Sequence, residues 1–464
     1  MPSTPPFSTL AFSCASVLFT SAQTPDTPDD EAPSLSWQQQ LRWRMWRFLA
    51  GPLGKSGVSM ADQALVSAGR LLVSIVVARA AGADALGLYA LAFTILLLAE
   101  ALAETLVALP YTVYSQRLGA KARRSYLGSA LVQAGGLGLG MAVLVAVGGA
   151  VAWMGFGEAG LGGVLFALAG MLPLRLVMDL GRRVAFAHHR VHTALVMDVL
   201  LMGVLLGGLG VLAATGNVTV WDVYALYGAA CLLPLWLAFR PLQRGDGGFR
   251  WRVAPATARD DLRRNWRFGR WVAAGRISVN GREFGIPWLL AAFAGTAAVG
   301  FMDAAMKVVG LIFPMITALA NVLTPSIAAA YAEDGVGAVR RMVARTALLM
   351  GLATGTVALG LAFGSEWVIA LFFGDEFGGQ HTAVVVYAVA TVVEAIGMPA
   401  DAGLWAIERP NVGFYINLVS MVTAFAVAWA LIPSLGVLGA IWGIATGKGV
   451  ATTGQLACFW WLSR

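Results

Sequence analysis

Charge is what this sequence of 464 residues has least of. Lys, Arg, Asp and Glu together make 12% of the chain, where soluble domains carry roughly 25%. A chain so poor in charge cannot cover itself in water, which excludes a soluble enzyme and a disordered protein. Cysteine is also scarce: Cys14, Cys231 and Cys458 stand far apart and give neither a disulfide framework nor a metal-ligand spacing. No phosphate-cradling glycine loop with its lysine occurs, so the chain carries no ATPase of its own. No segment between apolar runs is long enough for a catalytic domain. His188, His189 and His192 lack carboxylate or cysteine partners at ligand spacing, so no metal site and no cofactor are expected.

What is abundant is apolar sequence: 58% of residues are hydrophobic and 55 are glycine. A hydrocarbon core about 30 Å thick needs roughly 20 apolar residues of helix. Twelve such stretches occur, near 58–81, 86–109, 127–152, 161–181, 193–214, 219–239, 271–294, 297–325, 344–364, 381–400, 412–432 and 436–462. The stretch 366–379 is too short and too charged to span and reads as an interfacial segment. The expected fold is therefore an all-α polytopic membrane protein with about twelve transmembrane helices. Glycines within the spans allow close helix packing.

The net charge of +7 has to be read by position, as the marker of a cytoplasmic side rather than of nucleic-acid binding. With the N-terminus inside, 25 of the 32 basic residues fall on the cytoplasmic side, nine of them arginines between Arg240 and Arg270, and Arg79 alone falls outside. Both termini are then cytoplasmic. Residues 1–50, with six of the 18 prolines before residue 37 and the acidic run Asp29–Glu31, read as a disordered cytoplasmic segment or an over-extended start. A signal peptide would need a basic n-region, which is missing.

A long basic segment in the middle of twelve spans suggests two halves of six: a lobe over 51–240, a cytoplasmic linker over 241–270 and a lobe over 271–464. Ala81-Gly82-Ala83-Asp84-Ala85-Leu86-Gly87 recurs 213 residues later as Ala294-Gly295-Thr296-Ala297-Ala298-Val299-Gly300. Six spans per half is an even number, so the halves are parallel repeats about an axis along the membrane normal, around a central cavity. That is the plan of a transporter.

Charges inside spans are functional candidates, because each costs at least ~2.5 kcal/mol on insertion scales. Asp62 and Arg70 lie two turns apart in the first span. Glu100 and Glu104, one turn apart in the second, would repel unless each is neutralised. Arg276, Asn280 and Glu283 share a stripe in the seventh, with Arg282 pointing elsewhere. Asp303 and Lys307 form an acid-first i, i+4 pair in the eighth. Asp179 and Asp198 flank the basic loop 182–192 and are expected to pair with it, as Glu394, Asp401 and Glu408 are with Arg409. Arg175 and Lys448 also fall within spans. A basic cavity suits phosphate, which arginine binds bidentately. Arg70 and Arg276, deep in the first span of each half, are the leading candidates to face such a ligand. Arg282 and Lys307 stand behind them, and Asp62, Glu100, Glu104 and Asp303 are candidates for ion coupling or charge pairing. The competing reading is that these charges neutralise one another to fix helix packing.

Several segments carry a resemblance. Ala61-Asp62-Gln63 opens the first span and Ala78-Arg79-Ala80-Ala81-Gly82 closes it. Gly87-Leu88-Tyr89-Ala90-Leu91-Ala92 and Leu109-Pro110-Tyr111-Thr112-Val113-Tyr114 bracket the second, and Tyr126-Leu127-Gly128-Ser129 opens the third. Further on stand Arg182-Arg183-Val184-Ala185-Phe186-Ala187 with Met197-Asp198, and Leu323-Thr324-Pro325 with Ala328 and Tyr331. This pattern resembles the polysaccharide-biosynthesis membrane proteins, the O-antigen-type lipid-linked oligosaccharide flippases of the multidrug/oligosaccharidyl-lipid/polysaccharide (MOP) superfamily. The resemblance implies two lobes around a cationic cavity in a bacterial inner membrane. It also implies export of an undecaprenyl-diphosphate-linked oligosaccharide, with membrane lipids and a polysaccharide polymerase or export machinery as partners. The Arg-Asp pair of related lipid II flippases is absent, since Val73 and Ser74 stand nearest its place. Two alternatives remain: a multidrug cation antiporter of the same superfamily, which would want an acidic cavity, and a glycan-polymerising or ligating membrane enzyme, which would want a large outer loop.

Overall fold

The computed structural model describes residues 52–188, 190–216, 218–244, 255–407 and 409–464. The expected N-terminal tail and residues 245–254 of the expected linker lie outside them. Eleven α-helices follow one another: α1 (Pro52–Ala103), α2 (Leu109–Ser115), α3 (Ala120–Phe156), α4 (Ala159–Ala187), α5 (Val191–Thr215), α6 (Val220–Arg244), α7 (Pro255–Gly310), α8 (Phe313–Phe373), α9 (His381–Ala406), α10 (Pro410–Leu435) and α11 (Val437–Leu462). A π-helical turn, Glu104–Ala108, joins α1 to α2. Nine helices among the described residues are long and apolar enough to cross a membrane, α1 and α2 with their π turn counting as one. Large side chains such as Leu144, Trp153, Phe363 and Trp429 stand exposed on their outer faces, the arrangement a lipid surroundings requires.

Two of these helices each hold two of the expected spans. Helix α1 bends at Gly82 (φ 79°, ψ −173°) and α7 bends at Gly295 (φ 83°, ψ 176°), matching left-handed turns 213 residues apart that only glycine adopts without strain. The repeat extends to packing. A Cβ on Gly87 would lie 1.8 Å from the carbonyl oxygen of Thr296, and one on Gly300 would lie 2.1 Å from that of Ala83. Each half thus presents its own glycine to the other half's turn, as a two-fold relation demands. Gly69 and Gly281 likewise each receive a methionine, Met202 and Met421, whose sulfur stands 2.4 Å from where a Cβ would be.

Three expectations need correction. The eighth span, expected over 297–325, is interrupted at Leu311 and Ile312; Gly310 before them and Pro314 at the start of the next helix both favour a stop there. The linker is not irregular to residue 270, because α7 starts at Pro255, a residue suited to open a helix, and the Arg264–Asp261 pair (2.9 Å) supports its early turns. Nor is 366–379 an independent interfacial segment. Helix α8 carries Glu366 on an exposed face and runs on through Phe373, and only Asp375–Phe377 forms a separate 3₁₀ turn.

At the end of the bundle away from the basic loops, this C-terminus of α8 meets α1. The Arg79 guanidinium donates to the carbonyls of Ala370 (3.3 Å), Leu371 and Phe372 (2.9 Å). Glu376 accepts from the backbone N–H of Ala83 (3.4 Å). At the basic end, Gly269 of α7 packs against the backbone of Thr105 and Leu106, and Asn265 bonds Tyr126 (2.7 Å) and Gln133 (2.8 Å). The halves therefore touch at both ends of their shared seam.

Candidate functional site

Helix crossings bring nearly every interior charge to an opposite one. In the first half, Arg175 holds Glu100 (2.8 Å) and Asp179 (3.0 Å), and Arg70 reaches the other oxygen of Glu100 (3.3 Å). One turn nearer the basic end, Arg182 stands 2.5 Å from both Asp62 and Asp198. At that end Glu104 takes Arg183 (2.5 Å) and, across the seam, Arg276 (3.1 Å). Five arginines thus meet five carboxylates. In the second half, Glu394 receives Arg282 and Lys448, both at 2.8 Å, and Lys448 also faces Glu283 (3.5 Å). Arg282 adds a bond to Ser420 (3.0 Å), and the Lys448 ammonium lies 4.6 Å from the Tyr387 ring centre.

Several sequence assignments change accordingly. Asp62 and Arg70 share a helix but not a partner. Asp179 pairs with Arg175, one turn before the loop it was expected to serve, whereas Asp198 does meet Arg182 of that loop. Glu394 lies in the core of the second half rather than beside Arg409, and Asp401 accepts from Gln455 (3.4 Å); Glu408 is outside the described residues. Glu100 and Glu104 avoid repulsion because each has its own pair of arginines. The π turn that begins at Glu104 adds a residue to the winding there and re-aims the helix after it.

Arg70 and Arg276 are not counterparts either. The Gly69-Arg70 pair corresponds by packing to Gly281-Arg282. Arg276 sits at the basic end with 49% of its side chain exposed, and Arg282 is sealed at 3%.

Two candidates from opposite halves do come together. The Arg70 guanidinium lies 5.4 Å, and the Lys307 ammonium 5.1 Å, from the centre of the same Phe93 ring. Both keep spare capacity. Buried Arg70 Nε has no hydrogen-bond partner, and Lys307 is 4.0 Å from Asp303, beyond hydrogen-bond length. Their side chains are 28% and 20% exposed, unlike the closed Arg282 and Lys448. The Phe93 ring stacks on Tyr89 (5.7 Å), which stacks on Tyr224 (5.6 Å), so the platform under the cations is held from behind. Next in the chain, Thr94 accepts the Trp288 indole N–H at 2.8 Å, tying α1 to α7 beside the pair. The arrangement can bind a polyvalent anion on two cations that belong to different halves.

Arg175 and Lys448 are the functional-looking charges that the sequence reading located in spans but left unassigned. The signal was available: Arg175 has Asp179 four residues on in the same apolar run, and Lys448 is a lone charge between two glycines, Gly447 and Gly449. Of the histidines, His188 meets the Tyr111 hydroxyl at 3.3 Å and His189 lies outside the described residues.

Solved transporters share this fold. An inward-facing multidrug-resistance MATE-family transporter of the MOP superfamily superimposes with a TM-score of 0.70, at 18% identity over 85% of this chain and 92% of its own. An outward-facing MATE-family transporter gives 0.62 at 15% identity, over 88% and 94%. A MOP-superfamily transporter from Pyrococcus furiosus, described as having a binding pocket of reversed polarity, gives 0.63 at 16% identity, over 88% and 94%. Curated protein sequences yield no significant match. The profile of the polysaccharide biosynthesis protein family matches residues 76–380. That match takes in the bend at Gly82, Lys307 of the cation pair and the end of α8 away from the basic loops, and with it the chain, a multi-pass membrane protein of the MOP transporter fold, belongs to the polysaccharide biosynthesis protein family.

Proposed function

We propose that the protein is a flippase, carrying a lipid-linked oligosaccharide from the cytoplasmic to the outer face of a bacterial inner membrane by alternating access. The diphosphate headgroup binds between Arg70 and Lys307. The observation that carries this reading is that these two cations, one from each half, share one aromatic ring, that of Phe93, and keep unsatisfied donors. Arginine supplies a fork matched to phosphate oxygens and lysine a mobile point charge. Because the site is split between the halves, any rocking of one half against the other alters it, which is what alternating access uses. Sidedness follows from the basic residues, nearly all at one end. Glu100 and Asp303 orient the two cations. Arg276, Arg183 and Glu104 form a gate at the cytoplasmic end rather than part of the headgroup site. Arg182 locks Asp62 and Asp198 as structure. The pairing of interior acids with basic side chains supports an anionic cargo over a drug cation.

Arg70→Gln and Lys307→Gln each remove a charged partner worth about 1.5–3 kcal/mol to a bound anion. Each should therefore lower glycan export at least ~10-fold, with protein level and membrane insertion unchanged. Full export by both single variants would refute the assignment.

A further inference from the structure

One cavity lies beside the cation pair and has a different chemistry. About 400 Å³ in volume, it is lined almost wholly by carbon, including Ile95 of α1, Leu144, Gly148 and Val151 of α3, Leu165 of α4 and Trp288 of α7. Leu144 is 71% and Val151 52% exposed, so the groove opens sideways, where a bilayer would lie. Its α3 residues are in the last turns of that helix and its α4 residues in the first, which puts the groove in the membrane half away from the basic end. It also crosses the seam, since Trp288 belongs to the second half and the rest to the first.

The link between groove and cations is three consecutive residues. Phe93 lies under Arg70 and Lys307, Thr94 accepts the Trp288 indole N–H, and Ile95 lines the groove. An anionic site and a hydrocarbon-lined trough thus sit side by side on one helix, with the same tryptophan fixing the wall between them. An amphiphile with a charged head and an apolar chain fits both at once.

We infer that the groove binds the hydrocarbon chain of the lipid whose phosphates lie on Arg70 and Lys307; this rests on the headgroup assignment above. At roughly 30 Å³ per water-sized group, the groove takes on the order of a dozen carbons, part of one chain rather than two. The occupant we commit to is the single prenyl-type chain of the proposed lipid-linked cargo, with its proximal units in the half of the bundle away from the basic end while its phosphates lie on the cation pair. The groove is thus an exit-side guide that selects for chain as well as for charge.

The test uses the purified full chain in phosphatidylcholine nanodiscs and a benzophenone-tipped farnesyl diphosphate analogue. Photolabelling should fall on residues 144–165 and on the α7 peptide containing Trp288, and excess inorganic diphosphate should suppress it at least tenfold. A Cβ on Gly148 meets nothing within 4 Å, so Gly148→Trp can place its ring in the groove. It should cut labelling about tenfold while calorimetric binding of inorganic diphosphate stays as in the parent protein. Val151→Trp serves the same purpose should Gly148→Trp not be recovered folded. Labelling elsewhere in the bundle, or groove labelling indifferent to inorganic diphosphate, overturns the groove assignment and leaves the headgroup site standing. No binding of inorganic diphosphate by the parent protein refutes the headgroup site and the groove with it.

Discussion

The first half spreads its buried charges along a ladder from mid-membrane to the basic end, whereas the second half closes four of them into one knot. In the ladder several groups have two partners: Glu100 takes Arg70 and Arg175, and Glu104 takes Arg183 and, from the other half, Arg276. In the knot, Lys448 is fully buried between Glu283 and Glu394, and Arg282 is capped by Ser420. A ladder with shared rungs can lose a partner or exchange one as the halves move, because an alternative lies within reach. The knot is held at its cations, because Arg282 and Lys448 are 3% and 0% exposed and would stay unpaired in the interior if a carboxylate moved away. We read the difference as a more rigid second half, which fits the proposed placing of ligand and gate at the first half and its seam.

The strongest way to break this comparison is to cut one strand of each. Removing one partner of a buried ion pair costs about 3–5 kcal/mol, because the other charge stays behind unpaired. Lys448→Met should fall in that range and give a large drop in thermal stability in detergent, read by fluorescence-detected size exclusion. The double variant Lys448→Met/Glu283→Gln should recover most of it. Arg70→Gln should cost only ~1 kcal/mol, since Glu100 keeps Arg175, even though transport is lost. Equal destabilisation by Lys448→Met and Arg70→Gln would erase the distinction between the halves.

The next test bears on what the halves have in common. Gly87 and Gly300 each abut a backbone carbonyl of the opposite half closely enough that an alanine methyl would overlap it, at 1.8 and 2.1 Å. Backbone oxygen cannot rotate away as a flexible side chain can. Gly87→Ala and Gly300→Ala should therefore pry the halves apart, at the end away from the basic loops, to the same degree. Tightly matched increases in modification of a cysteine placed at Thr296, by a membrane-impermeant maleimide, would show it. A large effect at one glycine and none at the other would refute the two-fold relation.

That relation was legible in the sequence only at its sharpest point. The seven-residue repeat around Gly82 and Gly295 exposed it because both turns need the same left-handed glycine. The Gly69–Met202 and Gly281–Met421 contacts repeat as faithfully but involve residues 133 and 140 positions apart, and nothing local ties them together. Span existence was readable from apolar length, since lipid leaves the backbone no other option. The break at Leu311 was harder, because apolar residues continue across it and only the flanking Gly310 and Pro314 signal the interruption. Among the charges, i, i+4 spacing identified Asp303–Lys307 correctly. It could not foresee that Glu100 would meet Arg175, or that Arg282 rather than Arg276 would answer Arg70, because those choices are made by helices crossing in space.

The smallest expected effect concerns a feature that the two-fold relation does not repeat. Arg79 donates to the last carbonyls of α8, which carry the negative pole of its dipole; Ala370 also accepts the Gly374 N–H (3.1 Å). Glu376 reciprocates on the backbone of Ala83 just past the Gly82 bend. The position 213 residues after Arg79 is Ala292, so the latch is made once, from the first half to the second. It is also exposed, and a charge at a helix terminus contributes about 0.3–1 kcal/mol in such a setting. That is too little to hold this end of the bundle shut on its own and enough to bias its opening in the proposed cycle. Arg79→Ala should raise the reactivity of the same Thr296→Cys probe by at most about fivefold, since 1.4 kcal/mol is a factor of ten. Folding and headgroup binding should be unchanged. The added reactivity should also shrink when salt is raised in the Arg79 parent, because an exposed charge contact is screened and parent and variant then converge. An increase of a hundredfold would make Arg79 a lock in its own right. No increase at all would leave the reciprocal Gly87 and Gly300 contacts as sufficient closure of the end away from the basic loops.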